Sequence, residues 1–402
     1  MNSTEAMPMS FEPGAAVAPG GIPLSVPHLA GREWDYVKEC LDSNWVSSAG
    51  PFVERFEHSL TDYVGTKHGI AIVNGTAALH IALLVAGVEP DDEVLIPALT
   101  FIAPANAIRY ANAWPVFMDV ERDYWQIDPQ KLTEFLTKEC SWNDGELRNK
   151  STDRRVRAIL PVHILGHPCD MNPILDVARR FDLKVIEDAT ESLGAKYREK
   201  NVGSLGDVAC FSFNGNKVIT TGGGGMIVTN NGEWADKARY LTTQAKDDAV
   251  EYVHNEIGYN YRLTNIQAAL GCAQMEQLDR FVARKREIAA RYEKAFRAIS
   301  GLKFMEEADW AHSGFWLSTV RVAPSSYGLS SRQLMQTLMT GGIQARPLWQ
   351  PLHLSRAHAS AQSYRIEMAE TINREALSLP SSVGLTLEEQ DRVIDVVVNN
   401  RA

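Results

Sequence analysis

From about residue 70 onward, short stretches that are apolar throughout alternate with stretches of helical periodicity. "GIAIV" (69–73) runs into "NGTAALHIALLVAG", and "EVLIP" (93–97) into "FIAPANAIRYANA". "WPVFMDV" (114–120), "RAILPVHI" (157–164), "KVIED" (184–188), "VACFSF" (208–213) and "GMIVT" (225–229) follow, with a helical stretch near 172–181. A strand without a polar face has to be covered on both sides, which antiparallel hairpins on a surface do not provide. The expected fold class is therefore α/β, a mainly parallel sheet covered by helices. Around residue 264 the pattern changes. Thr264 and Gln267 fit a capping box, and helical periodicity then continues to about residue 299 before a shorter α+β stretch. The expected organisation is a Pro/Gly/Ala-rich tail over 1–21, a large domain over 22–270 and a small domain over 271–402.

Composition narrows the function classes. With 45% hydrophobic and 22% charged residues in 402, the chain has the balance of a soluble globular enzyme. A net charge of −10 disfavours a nucleic-acid surface, and no apolar run of about 18 residues suggests a membrane span. The five cysteines lack C-x-x-C spacing and are expected as buried free thiols in a reducing cytoplasm. His163 and His167 lie four apart, but Pro168 and the preceding strand exclude a helical metal pair, so structural roles are expected and no metal.

The chemistry is concentrated in "FSFNGNKVITTGGGGMIVTNN" (211–231), where Lys217 stands before four glycines. Neither nucleotide-loop pattern fits: Asn216 precedes the lysine where a Walker loop needs glycine, and no G-x-G-x-x-G can be laid over Gly222–Gly225. A covalent anchor for pyridoxal 5′-phosphate fits better. That cofactor needs a lysine amine, and a carboxylate to keep its ring nitrogen protonated, which Asp188 at a strand end can supply. It also needs small residues at a helix start for its phosphate, and "VNGTAAL" (73–79) offers Gly75, Thr76 and Ala77 with Ser212 nearby. Each residue alone has an ordinary explanation: a strand-end cap, a turn, a solvated lysine. Their order on one α/β scaffold favours the cofactor.

These stretches, with "GPFVERFE" (50–57), "PALTFIAPANAI" (97–108), "IEDATESLGAKY" (186–197), "GYNYRLTNIQAALG" (258–271) and "PLWQPLHL" (347–354), resemble the DegT/DnrJ/EryC1/StrS family of nucleotide-sugar aminotransferases. The resemblance covers roughly residues 22–400. It implies a fold-type I enzyme with a seven-stranded-type sheet, pyridoxal 5′-phosphate as cofactor, L-glutamate as amino donor, and a cytoplasmic homodimer with shared active sites. It makes Lys217 the covalent anchor and Asp188 the partner of the ring nitrogen. Phe101 becomes the ring-stacking aromatic, and Gly75, Thr76, Ala77 and Ser212 the phosphate cup. Asn260 would reach the phosphate of the neighbouring subunit's cofactor. Three positions depart from the commonest pattern: Glu191 replaces a Gln or His near the cofactor hydroxyl, Asn214 a histidine, and Gly223 a glutamate. With "SNWVSSAGPFVERFE", these suggest a UDP-linked 4-keto-6-deoxy-hexosamine as acceptor, for surface polysaccharide. Arg346 is either a substrate-anion contact or part of a surface salt bridge; His353 and Trp349 are either substrate contacts or packing. The rival readings are a sugar dehydratase of the same family, which typically carries histidine in place of the lysine, and a non-enzymatic cofactor-binding regulator.

Overall fold

A computed structural model describes residues 20–248 and 250–400, so all but the last two residues of the expected tail lie outside it. The expected strands form: β1 (His68–Ile72), β2 (Glu93–Pro97), β3 (Trp114–Met118), β4 (Val156–Ile159), β5 (Lys184–Asp188), β6 (Val208–Ser212) and β7 (Gly225–Thr229). They assemble in the order β1-β7-β6-β5-β4-β2-β3, and an eighth strand, Gln362–Tyr364, adds in parallel beyond β3. All neighbours are parallel except at β7, which runs antiparallel to both β1 and β6. Alternate residues of β2 enter different layers. Val94 and Ile96 join a core with Phe117 and Ala158, whereas Leu95 joins one with Val116, Met118 and Ile159. This two-sided burial is why the strands read as apolar throughout.

Helices α1 (Glu33–Asp42), α2 (Pro51–Val64) and α3 (Gly75–Val85) lead up to and follow β1. The helical run from residue 264 divides in two, α4 (Asn265–Met275) and α5 (Leu278–Phe296). The Thr264–Gln267 capping box is present at its start. The expectation of one continuous helix is corrected at Glu276–Gln277. There the Gln277 amide bonds back three residues to the Gln274 carbonyl at 3.0 Å, tightening and ending the first helix. After α5, four short strands (Leu302–Phe304, Ser318–Val322, Ala376–Leu379 and Arg346–Pro347, in that spatial order) make a separate antiparallel sheet.

The sheet register gathers the loops that matter. Cys210 of β6 pairs with Asp188 of β5, and Gly225 of β7 pairs with both Ser212 of β6 and Ile72 of β1. The end of β5, the end of β6, the start of β7 and the end of β1 therefore share one edge of the sheet. Helix α3 begins three residues beyond Ile72. A binding crevice outside the carboxyl ends of parallel strands is the arrangement this topology favours.

Candidate active site

A cavity of about 370 Å³ opens at that edge, lined by Gly75, Thr76, Phe101, Glu191, Ser212 and Lys217 among others. Asn74 caps α3: its side chain accepts the Ala77 amide at 2.8 Å. The Ala77 amide is thus engaged by the cap, and Ala77 does not line the cavity. The amides of Gly75 and Thr76, at the first two helical positions, remain at the positive end of the helix. Gly225 explains part of the glycine run. A Cβ there would stand 2.7 Å from the Asn74 carbonyl carbon and oxygen and 2.9 Å from the Gly75 nitrogen, so only glycine lets β7 pass under the helix start. Gly223 differs, for a Cβ there would meet nothing nearer than the Gln267 amide nitrogen at 3.9 Å.

Lys217 reaches the cavity from the loop after β6. Its Nζ lies 3.6 Å from Glu191 Oε1 and 4.1 Å from the centre of the Trp316 ring. Asp188 is buried at the end of β5, and its Oδ1 accepts the Thr190 amide at 3.1 Å. Burial pushes its carboxyl above the ordinary value, opposed by the Thr190 hydroxyl and amide and by attraction to Lys217. Glu191 is buried too; desolvation raises its pKa to about 6 against the pull of Lys217 and the Leu165 amide. That amide donates to Glu191 Oε2 at 2.9 Å, with Leu165 in the left-handed region at φ 60°. A branched side chain rarely sits there, and the Glu191 bond helps hold it.

The remaining expected residues separate into two groups. Phe101 is half exposed in the cavity wall, and Trp349, Asn214 and Gly223 also line it. Asn260 is exposed and outside the lining, in an isolated bridge with Thr243. Arg346 donates to the Ala345 carbonyl at 3.1 Å, and His353 Nε2 lies 3.1 Å from Glu370 Oε1; neither lines the cavity. His163 accepts the Cys169 amide at Nδ1 (3.0 Å), which leaves Nε2 as the donor to Glu187 at 3.1 Å. His167 stacks on Tyr124 and accepts the Ala308 amide. Among the described residues no group of His, Cys, Asp and Glu is arranged to hold a metal, and no helix is long and apolar enough to cross a membrane. All five cysteines are buried and unpaired.

Sequence reasoning missed Trp316 and Thr190. Trp316 donates its indole N–H to the Asn216 carbonyl at 2.7 Å while its face covers Lys217. Thr190 could have been found, since it sits two residues past Asp188. Nothing local marks Trp316, which arrives from a hundred residues away.

A family model described as the DegT/DnrJ/EryC1/StrS aminotransferase family matches residues 27–398. The chain belongs to this family. It is 43% identical to GDP-perosamine synthase of Caulobacter vibrioides, covering 93% of this chain and 96% of that one. It is 38% identical to GDP-perosamine synthase of Escherichia coli O157:H7, over 92% and 95%. Among solved structures, DesV of S. venezuelae superposes with a TM-score of 0.82 at 31% identity, covering 92% of this chain and 95% of that one. The protein is a pyridoxal 5′-phosphate-dependent transaminase of fold type I. The cavity suits the cofactor, with an amine for the covalent link, helix-start amides beside a serine and a flat aromatic wall; Asp188, whose carboxyl a ring N–H would satisfy, is buried at the end of β5 and does not line it.

Proposed function

We propose that the protein moves an amino group from L-glutamate to a keto-sugar carried on a nucleoside diphosphate, with Lys217 as its central residue. The observation that carries this is the convergence of Lys217, Glu191 and the start of α3 on one cavity, with Asp188 buried beside Lys217. The cofactor, when bound, supplies an electron sink for the charge left on the donor's α-carbon. Lys217 anchors it and, once released, carries the proton to and from that carbon. Asp188 holds a proton on the ring nitrogen. The Gly75 and Thr76 amides with Ser212 would hold the phosphate, Phe101 would lie against the ring, and Trp316 would keep water from the Lys217 amine. Glu191, which accepts from Leu165 and lies 3.6 Å from Lys217, would meet the cofactor hydroxyl. Arg346 and His353 take no part in this scheme. The free thiols and nucleotide-linked substrates fit a reducing cytoplasm.

For the acceptor, the UDP-linked sugar read from the sequence competes with the GDP-linked amino sugar in the names of the two relatives. We favour a GDP-linked 4-keto-6-deoxy sugar, because identity over nearly whole chains outweighs three variant loop positions. A Cβ at Gly223 would meet nothing nearer than 3.9 Å, so this position by itself does not choose between the two acceptors. The enzyme is first treated with L-glutamate, then mixed with GDP-, UDP- and dTDP-linked 4-keto-6-deoxy sugars, and the amino sugar is measured by mass spectrometry. The GDP-linked substrate should lead by at least about tenfold in kcat/KM, a margin of about 1.4 kcal/mol. A UDP-linked sugar in that place reverses the nucleotide assignment. In the same assay Lys217→Ala should lose several orders of magnitude. Near-normal turnover by that variant would sink the central role of Lys217.

A further inference from the structure

Helix α5 buries one stripe, with Leu278, Phe281, Lys285, Ile288, Tyr292 and Phe296 along it, at the spacing of a helix face packed on a core. One member of that stripe is a lysine. Lys285 is 2% exposed, and its Nζ donates to two backbone carbonyls, Trp316 at 2.9 Å and Ser381 at 2.8 Å. Burial lowers its pKa to about 7. An apolar side chain of similar length would fill this place without taking a charge out of water. What it could not do is hold two carbonyls.

Those carbonyls belong to segments that meet at the active site. Trp316 covers Lys217 and bonds the carbonyl of Asn216, the residue before it. The Asn216 carbonyl also accepts the Ser25 hydroxyl at 3.1 Å. Ser381 bonds the Leu24 carbonyl through its amide at 2.7 Å and accepts the Ser318 amide at its hydroxyl. The backbone of Trp316 is thus held by Lys285 and its indole by Asn216. The same amino group ties in the strand end that carries residues 24–25 toward Asn216.

We propose that Lys285 is a positioning residue of the active site: by bridging the Trp316 and Ser381 carbonyls it sets the indole of Trp316 over the amine of Lys217. Its consequence for activity rests on the reading of Lys217 given above; its consequence for Trp316 does not. A structural lysine alone would affect stability and leave both the indole and the chemistry unmoved.

The experiment is a double-substitution cycle with Lys285→Met and Trp316→Phe, read in two ways on the cofactor-loaded enzyme. The first readout is the emission of Trp316, obtained as the difference between matched proteins with and without the indole. It is taken once with Lys285 in place and once in the Lys285→Met background. It should move to longer wavelength when Lys285 is lost, because an unfastened indole gains water. The second is kcat. Each single variant should lose about 10- to 100-fold, the scale of a catalytic group displaced by about 1 Å, with the KM for glutamate changed much less. The double variant should be no slower than the slower single one, since both remove one arrangement. Lys285→Arg, which keeps hydrogen-bond donors at this place, should recover part of the rate. Where Lys285→Met does not fold, Lys285→Gln carries the same cycle. An unchanged Trp316 emission, kcat within about twofold of wild type, or losses that multiply in the double variant each overturn the proposal. Should Lys217→Ala prove active, the reading of Lys217 fails while the emission measurement still decides on Lys285.

Discussion

Two buried ionisable groups make opposite demands on this fold. Asp188 is a carboxyl raised by burial next to a lysine, and a positively charged ring nitrogen would relieve it. Asp188→Asn should leave the fold intact and cofactor bound, because the amide can still meet the ring, yet slow the carbanion-forming half-reaction by at least about a hundredfold. Single-turnover rates equal to wild type with cofactor bound would remove Asp188 from the chemistry. Lys285 is lowered from 10.5 to about 7, so between those values the unfolded chain binds the extra proton and the folded one does not. Stability from this group therefore rises with pH from about 7 to 10.5, by at most about 1.4 kcal/mol per pH unit. In urea titrations, wild type should gain on Lys285→Met as the pH is raised through that range. A flat or falling difference would show that Lys285 is not held as the structure places it. At this scale the sequence was readable where a residue's meaning is local. Lys217, Asp188, Gly75 and Thr76 stand in recognisable local motifs, and the structure brings Lys217, Gly75 and Thr76 to one cavity with Asp188 buried close by. Trp316 and Lys285 act only through partners distant in the chain, and neither has a local mark.

At the scale of elements, the two-sided burial of β2 through β7 made the strands legible, and the small residues of "VNGTAAL" and the Thr264–Gln267 pair made two helix starts legible. The strand Gln362–Tyr364 was not, because three mixed residues at a sheet edge carry no apolar run. The break between α4 and α5 was equally hidden, since apolar periodicity continues across it. We propose that this break also marks the passage from the large to the small domain expected near residue 270. The packing of β7 under α3 yields a direct test of how the glycines serve the site. Gly225→Ala sets a Cβ against the Asn74 backbone and must push back the helix start proposed above to hold the phosphate. It should cost about 1–3 kcal/mol of stability and weaken cofactor binding in an absorbance titration. Gly223→Ala, with its nearest neighbour at 3.9 Å, should stay within about 0.5 kcal/mol of wild type. If the two variants melt alike, close packing is not what requires glycine at 225.

At the scale of the whole molecule, the segment leading to Asn260 exposes large apolar side chains among its charged ones. Val250 is 82% exposed, Tyr252 71% and Ile257 86%, in the same stretch that leads to Asn260. Such side chains on one segment suit a contact with another chain. Asn260 itself is exposed and outside the cavity of its own chain, which leaves its expected role to a second copy. We propose a homodimer in which Asn260 of each chain completes the phosphate site of the other. Lys217→Ala and Asn260→Ala homodimers should each be strongly impaired. After subunit exchange, a mixed dimer carries both defects in one site and neither in the other, because the lysine and the asparagine of a site come from different chains. Activity should reappear on mixing, up to about half of the sites in each mixed dimer. If exchange is verified by mass spectrometry of differently tagged chains and no activity returns, each site is built from one chain, and the exposed segment serves another contact.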